Sequence, residues 1–135
     1  MDLDKALNVS AAGMDAQTMR LRVIAENLAN QDTTGSSPGA DAYRRKTITF
    51  ENHVNAATGD TTVQVKQIGK DKSEQTLRYD PSNPAANAEG YVKTPNVNSF
   101  IEIMDMRDAQ RSFSANLNVM QVTRSMLTRT IDLLK

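Results

Sequence analysis

No cysteine occurs anywhere in the chain. That excludes disulfide stapling, a thiol nucleophile and any cysteine-based zinc site. Tryptophan is also absent, and the aromatics amount to three Tyr and three Phe, too few for a large aromatic core. A single histidine, His53, follows Glu51 in a segment that reads as a loop or strand end; a lone His without Cys or paired carboxylates reads as surface structure rather than a metal ligand. The chain contains no phosphate loop ending in Gly-Lys-Ser/Thr, no His-Glu-x-x-His and no Gly-x-Ser-x-Gly. Asp105 and Asp108 stand one helical turn apart, as solvated acidic pairs often do. Asn8-Val9-Ser10 matches a glycosylation acceptor only formally, because it falls inside a predicted helix. The residues therefore point away from an enzyme and call for no cofactor or metal. No run approaches the ~20 apolar residues that span a bilayer. The N-terminus opens with Asp2 and Asp4 and has no apolar h-region, which is expected of a cytoplasmic chain or of one exported by a route that reads no cleavable signal. Sixteen basic and sixteen acidic residues balance to zero. Such a balance gives no electrostatic reason to expect nucleic acid or an anionic membrane as partner, and it favours self-association.

Proline is missing from both ends: Pro38, Pro81, Pro84 and Pro95 all lie in the middle. What the ends carry instead is apolar periodicity. Leu3, Leu7, Met14, Leu21, Ile24 and Leu28 fall on steps of three and four, interrupted by Ser10 and Gln17. At the C-terminus the ladder is Ile103, Met106, Gln110, Phe113, Leu117, Met120, Arg124, Leu127, Ile131 and Leu134. Such steps average 3.5 residues, the period of a coiled-coil seam. Gln17, Gln110 and Arg124 either fix register within that seam or face solvent where the seam drifts. The first helix is predicted to start at an Asp2 cap and to run to about Asn30, with Gly13 as a weak spot or a close backbone approach. The second starts at Ser99, where Ser99 and Glu102 match a capping box.

Between the helices, Gln31 to Ala42 reads as loop. Tyr43 to Phe50, Thr61 to Ile68 and Gln75 to Tyr79 read as short strands forming one or two hairpins. Residues 80–98 read as an extended, Pro- and Asn-rich linker. Tyr43-Arg44-Arg45-Lys46 is the densest basic cluster, and a solvated strand edge is preferred to an anion or polymer site. The fold class is thus mainly α with a small β part. The terminal helices, 1–31 and 99–135, are expected to pair as an antiparallel coiled coil in one discontinuous domain, and 32–98 to supply the hairpins and linker. A lone two-helix hairpin of this kind is marginal, because ordering long helices costs more than one narrow seam returns. The seams are therefore expected to be completed by other subunits.

Specific residues also carry a resemblance. Ser10-Ala11-Ala12-Gly13-Met14, followed by Asn27-Leu28-Ala29-Asn30-Gln31-Asp32-Thr33-Thr34-Gly35, resembles the N-terminal signature of bacterial flagellar rod and hook proteins. Tyr43-Arg44-Arg45 leading to Phe50 is similar to the first strand of a short proximal-rod member. Tyr79-Asp80-Pro81, Ala88-Glu89-Gly90-Tyr91-Val92 and Pro95-Asn96-Val97-Asn98 resemble that member's most distinctive stretch. Arg111-Ser112-Phe113 with Ala115-Asn116 resembles its C-terminal helix. The resemblance implies a structural subunit of the basal-body rod, located in the periplasm and exported through the flagellar type III apparatus. Its partners would be other rod proteins and copies of itself. It also implies that Asn27, Asn30 and the Thr33-Thr34-Gly35 turn set the exit from the first helix. An ordinary helix C-terminus would favour the same residue types. The competing class is a soluble coiled-coil adaptor or export chaperone, which would form a discrete oligomer with folded termini.

Overall fold

The computed structural model describes residues 3–56 and 58–133. Helix α1 spans Leu3–Ala29. Strands β1 (Lys46–Val54) and β2 (Thr61–Lys70) follow, then β3 (Leu77–Tyr79) and β4 (Tyr91–Lys93), and helix α2 (Ser99–Leu133) closes the chain. The Asp2 cap and the seam position Leu134 lie outside the described residues. Both helices form where no proline interrupts and apolar residues recur at helical spacing. The β-branched run Thr47-Ile48-Thr49 falls in β1, which begins and ends three to four residues later than the sequence pattern indicates.

The strands form two separate pairs, β1 with β2 and β3 with β4. The second pair is antiparallel, with Leu77 opposite Lys93 and Tyr79 opposite Tyr91. β4 lies inside what reads in the sequence as an extended linker. Its three residues are held by pairing with β3, a contact fourteen residues away that local propensity cannot register. Gly90 leads into it at φ +84°, and a Cβ there would lie 2.9 Å from the Tyr79 ring. The backbone conformation and the close approach both demand glycine.

The chain gathers into two compact units. The first takes the chain up to Leu21, Ile48–Gln67, and the chain from Met106 onward; the second takes Arg22–Thr47 and Ile68–Asp105. Among the described residues of the first, the buried apolar side chains are Ala16 and Ala109 alone, joined by the buried polar residues Ser10, Asp60 and Thr123. Lys5 closes on Asp60 at 2.7 Å. Gly13 is also buried, and a Cβ there would meet Asn116 Nδ2 at 2.7 Å, so α1 passes α2 closely at this point. The second unit buries Val23, Ile24, Ala42, Ala85 and Val92, together with Asn27 and Glu102. Within it the helices run antiparallel: Asn27 meets Glu102, while Gln31, four residues later and just past the end of α1, accepts a hydrogen bond from Ser99, three residues earlier in α2.

Candidate functional site

Asn27 sits at the centre of the second unit, 1 % exposed, on the last turn of α1. Its amide nitrogen donates to the Lys46 carbonyl at 2.9 Å and to Glu102 Oε2 at 3.2 Å. Its amide oxygen accepts from the Lys46 backbone N–H at 2.8 Å and from the Tyr43 hydroxyl at 2.9 Å. One side chain thus ties α1, the start of β1 and α2 together, with every strong valence used. Glu102 is fully buried. Arg45 Nε donates to its other oxygen at 2.5 Å, and Arg45 also reaches Asp105 at 3.6 Å. A buried carboxylate is tolerated only when so paired and hydrogen-bonded.

The basic cluster therefore does not form the solvated strand edge expected from its composition. Tyr43, Arg45 and Lys46 point into a polar lock. Lys46 Nζ pairs with Glu26 at 2.6 Å; that contact raises the ammonium pKa and lowers that of the carboxyl. Burial pushes the Tyr43 phenol up. Arg44, half-exposed like Lys46, pairs with Asp41 and donates to the Ser73 carbonyl at 3.3 Å. Asn96 extends the lock, accepting from the Arg45 N–H at 2.8 Å and donating to Ser73 Oγ at 2.8 Å. Asp71 N–H closes on the Arg45 carbonyl at 2.8 Å.

The capping box at the start of α2 is a second correction. Asn98 is the cap: its Oδ1 accepts from the N–H groups of Phe100 (3.0 Å) and Ile101 (3.4 Å). Glu102 cannot turn back to the backbone because Arg45 and Asn27 hold its carboxylate. Asn30 and Thr33 do shape the turn after α1. Thr33 Oγ1 donates to Asn30 Oδ1, and Asn30 Nδ2 donates to the Glu26 carbonyl at 2.8 Å. Gly35 packs so tightly that a Cβ would lie 2.6 Å from the Ala40 Cβ. Thr34 is half-buried and Glu89 exposed. Tyr91 meets Tyr79 edge-on, ring centres 5.4 Å apart, and Pro95 is buried.

In α2 the shielded positions include a ladder of Glu102, Met106, Ala109, Phe113, Asn116, Met120, Thr123 and Leu127, on alternating steps of four and three, flanked by half-buried Ser99, Asp105 and Ser112. Met106, Phe113, Met120 and Leu127 are seam positions visible in the hydropathy pattern. The interleaved set is Glu, Ala, Asn and Thr, which carry no hydropathy signal; only a seven-residue recurrence of small and polar residues could have marked it. Ile103, Leu117 and Ile131 stand exposed, as do Gln110 and Arg124. In α1, Ile24 is buried, while Leu3, Leu7, Met14, Leu21 and Leu28 are half-buried, as is Gln17.

The exposed side of α2 carries large apolar residues among its polar ones. In the second unit it shows Phe100 (72 % exposed), Ile101 and Met104; in the first it shows Val119, Val122, Met126 and Leu133 (87 % exposed). No group of three or more His, Cys, Asp or Glu among the described residues could hold a metal ion. No helix among them is long and apolar enough to cross a membrane. What the geometry offers is a polar lock in the second unit and exposed apolar side chains along α2 in each unit, features suited to assembly.

Comparison with known proteins agrees. Residues 7–35 match the family described as "Flagella basal body rod protein". Residues 88–133 match "Flagellar basal body rod FlgEFG protein C-terminal". The chain is 48 % identical over 133 residues to the flagellar basal-body rod protein FlgC of Agrobacterium fabrum, covering 98 % of this chain and 96 % of that one. Identity to FlgC of Escherichia coli O6:H1 is 38 % over 135 residues, 98 % of each chain. Identity to FlgC of Bacillus subtilis is 37 % over 146 residues, 95 % of each. With matches of this extent joining both terminal helices and the segment between them, the chain belongs to the FlgC family of flagellar basal-body rod proteins.

Proposed function

We propose that the chain is a structural, non-enzymatic subunit of the proximal rod, the tubular drive shaft that carries torque through the basal body in the periplasm. It assembles with other rod proteins and with copies of itself after passage through the flagellar export apparatus. The terminal helices, 1–31 and 99–135, serve as the assembly domain, and 32–98 braces them. One observation carries this reading above the rest. Among the described residues of the first unit the fully buried apolar side chains are Ala16 and Ala109, while Val119, Val122, Met126 and Leu133 are left open. A unit that leaves larger hydrophobes open while burying only two alanines completely is completed by neighbours. Stiffness then comes from helix packed on helix between subunits, and Ile103, Leu117 and Ile131 join those contacts.

The test is complementation. Cells lacking their own copy of this subunit are supplied with the chain, and the rod is followed by swimming and by electron microscopy of isolated basal bodies. The unaltered chain is expected to restore complete rods. Val122→Glu, a surface change within the subunit, is expected to leave the purified chain folded while abolishing rods. Intact rods built with Val122→Glu would show that the outer face of α2 is not an assembly surface.

A further inference from the structure

Two different open surfaces lie in the first unit. One is a shallow groove of about 320 Å³ between α1 and β2, lined by Ala12, Asp15, Ala16 and Met19 on one side and Thr62–Val65 on the other. The other is the outer stripe of α2. We propose that they meet across copies: Val119, Val122 and Met126 of one chain seat in the α1–β2 groove of the next. This inference rests on the reading that copies of the chain assemble together.

Shape and charge both select this occupant. Val119, Val122, Met126 and Leu133 follow one another at three, four and seven residues, one face of a helix. Ala12 and Ala16, one turn apart, leave the groove floor low enough for a helix to approach. Met126 supplies a side chain that adapts to an irregular wall. Among the described residues Asp15 is the one charged residue lining the groove, and it is exposed. Arg129 lies on the stripe, three residues after Met126 and four before Leu133, and is also exposed. Seating the stripe in the groove brings Arg129 toward Asp15.

The stripe paired with a second copy of itself is the obvious rival, and charge disfavours it. Arg129 is the charged residue on the stripe; Arg124, two residues before Met126, points to the other side of the helix. In an antiparallel pair centred on Met126 each Arg129 would meet the apolar stripe of the other copy with no acid on that face, whereas the groove offers Asp15. Stripe and groove are, moreover, unlike surfaces of one unit. A contact between them is head-to-tail and repeats from copy to copy without closing on itself, as a rod requires.

The absence of cysteine makes the test clean. Ala12→Cys and Val122→Cys are placed in separately tagged chains and co-expressed in cells lacking their own copy, and isolated basal bodies are oxidised. The expected result is a disulfide between the two tags, in excess over either same-tag dimer. A dominant Val122→Cys self-dimer overturns the proposal. So does the absence of any crosslink when both tagged chains are present in the basal bodies. Should the cysteine chains fail to incorporate, charge exchange decides. Asp15→Arg and Arg129→Asp are each expected to impair swimming, and the double variant to restore it; failure of the double variant to rescue overturns the contact. Failure of the rod reading is distinguishable, because the unaltered chain would then be missing from basal bodies, and the proposal would fall with it.

Discussion

Asn27 is the residue on which the second unit turns. It accepts and donates in four directions, and one of its partners, the Glu102 carboxylate, is fully buried. Removing one partner from such a network costs more than the network's net worth, because the desolvated group left behind goes unpaired. Asn27→Ala is therefore expected to destabilise the purified chain by about 2–4 kcal/mol in denaturant melts. Asn27→Asp keeps the shape but loses both amide donors and places a second carboxylate against Glu102. It should cost at least as much at neutral pH. A loss under about 1 kcal/mol for Asn27→Ala would mean that the lock forms without it. The sequence marks Asn27 only through resemblance, because its residue type at a helix end is equally consistent with a helix terminus. Its actual partners lie 16, 19 and 75 positions away, at Tyr43, Lys46 and Glu102, a separation that no local pattern encodes.

At the scale of the elements, both helices and the turns between β1 and β2 were legible because proline placement and 3.5-residue spacing are local signals. The interior faces were legible only by half. Hydropathy picks out Met106, Phe113, Met120 and Leu127, but the positions interleaved with them are Glu, Ala, Asn and Thr. An apolar ladder shifted by one residue, through Ile103, Leu117 and Ile131, reads better by eye and faces outward. The start of α2 shows the same ambiguity. Ser99 and Glu102 fit a capping box by spacing, yet Asn98 holds the free N–H groups while Glu102 is claimed by Arg45. The two assignments separate cleanly by substitution. Asn98→Ala is expected to cost about 1 kcal/mol, the usual loss of an N-cap. Ser99→Ala, which removes a hydrogen bond to exposed Gln31, should cost less than half as much. Equal losses would return the cap to Ser99. Glu102→Gln should exceed both, because it leaves the half-buried Arg45 guanidinium facing a neutral amide where it now has a buried carboxylate.

For the whole molecule, the balance between polar and apolar contacts sets the response to pH. With so little buried hydrocarbon, ion pairs join the elements in both units. Asp60 is held below its ordinary 3.8 chiefly by the hydrogen bond from Lys5. Asp41 is lowered from the same value by Lys93 first and Arg44 second, and Asp71 by the backbone N–H and hydroxyl of Ser73. Glu26 is lowered from 4.5 by Lys46. A carboxyl with a depressed folded pKa contributes stability that is fully present above its unfolded value and is lost as pH falls through the folded one. Lys46, raised above its ordinary 10.5 by Glu26, contributes in the opposite sense: its share is present below 10.5 and disappears as pH rises through the folded value. The thermal unfolding midpoint of the purified chain is thus expected to hold level from about pH 5 to about pH 9 and to fall on both sides. The acid branch should set in below pH 4.5, since all four carboxyls titrate lower in the folded chain. Asp60→Asn should make that branch shallower by removing one of the four, and Lys46→Met should remove part of the alkaline branch while lowering the plateau little, because the pair lies at the half-exposed edge of the lock and solvent screens it. An acid branch unchanged by Asp60→Asn would mean that the Lys5 contact with Asp60 does not persist in solution.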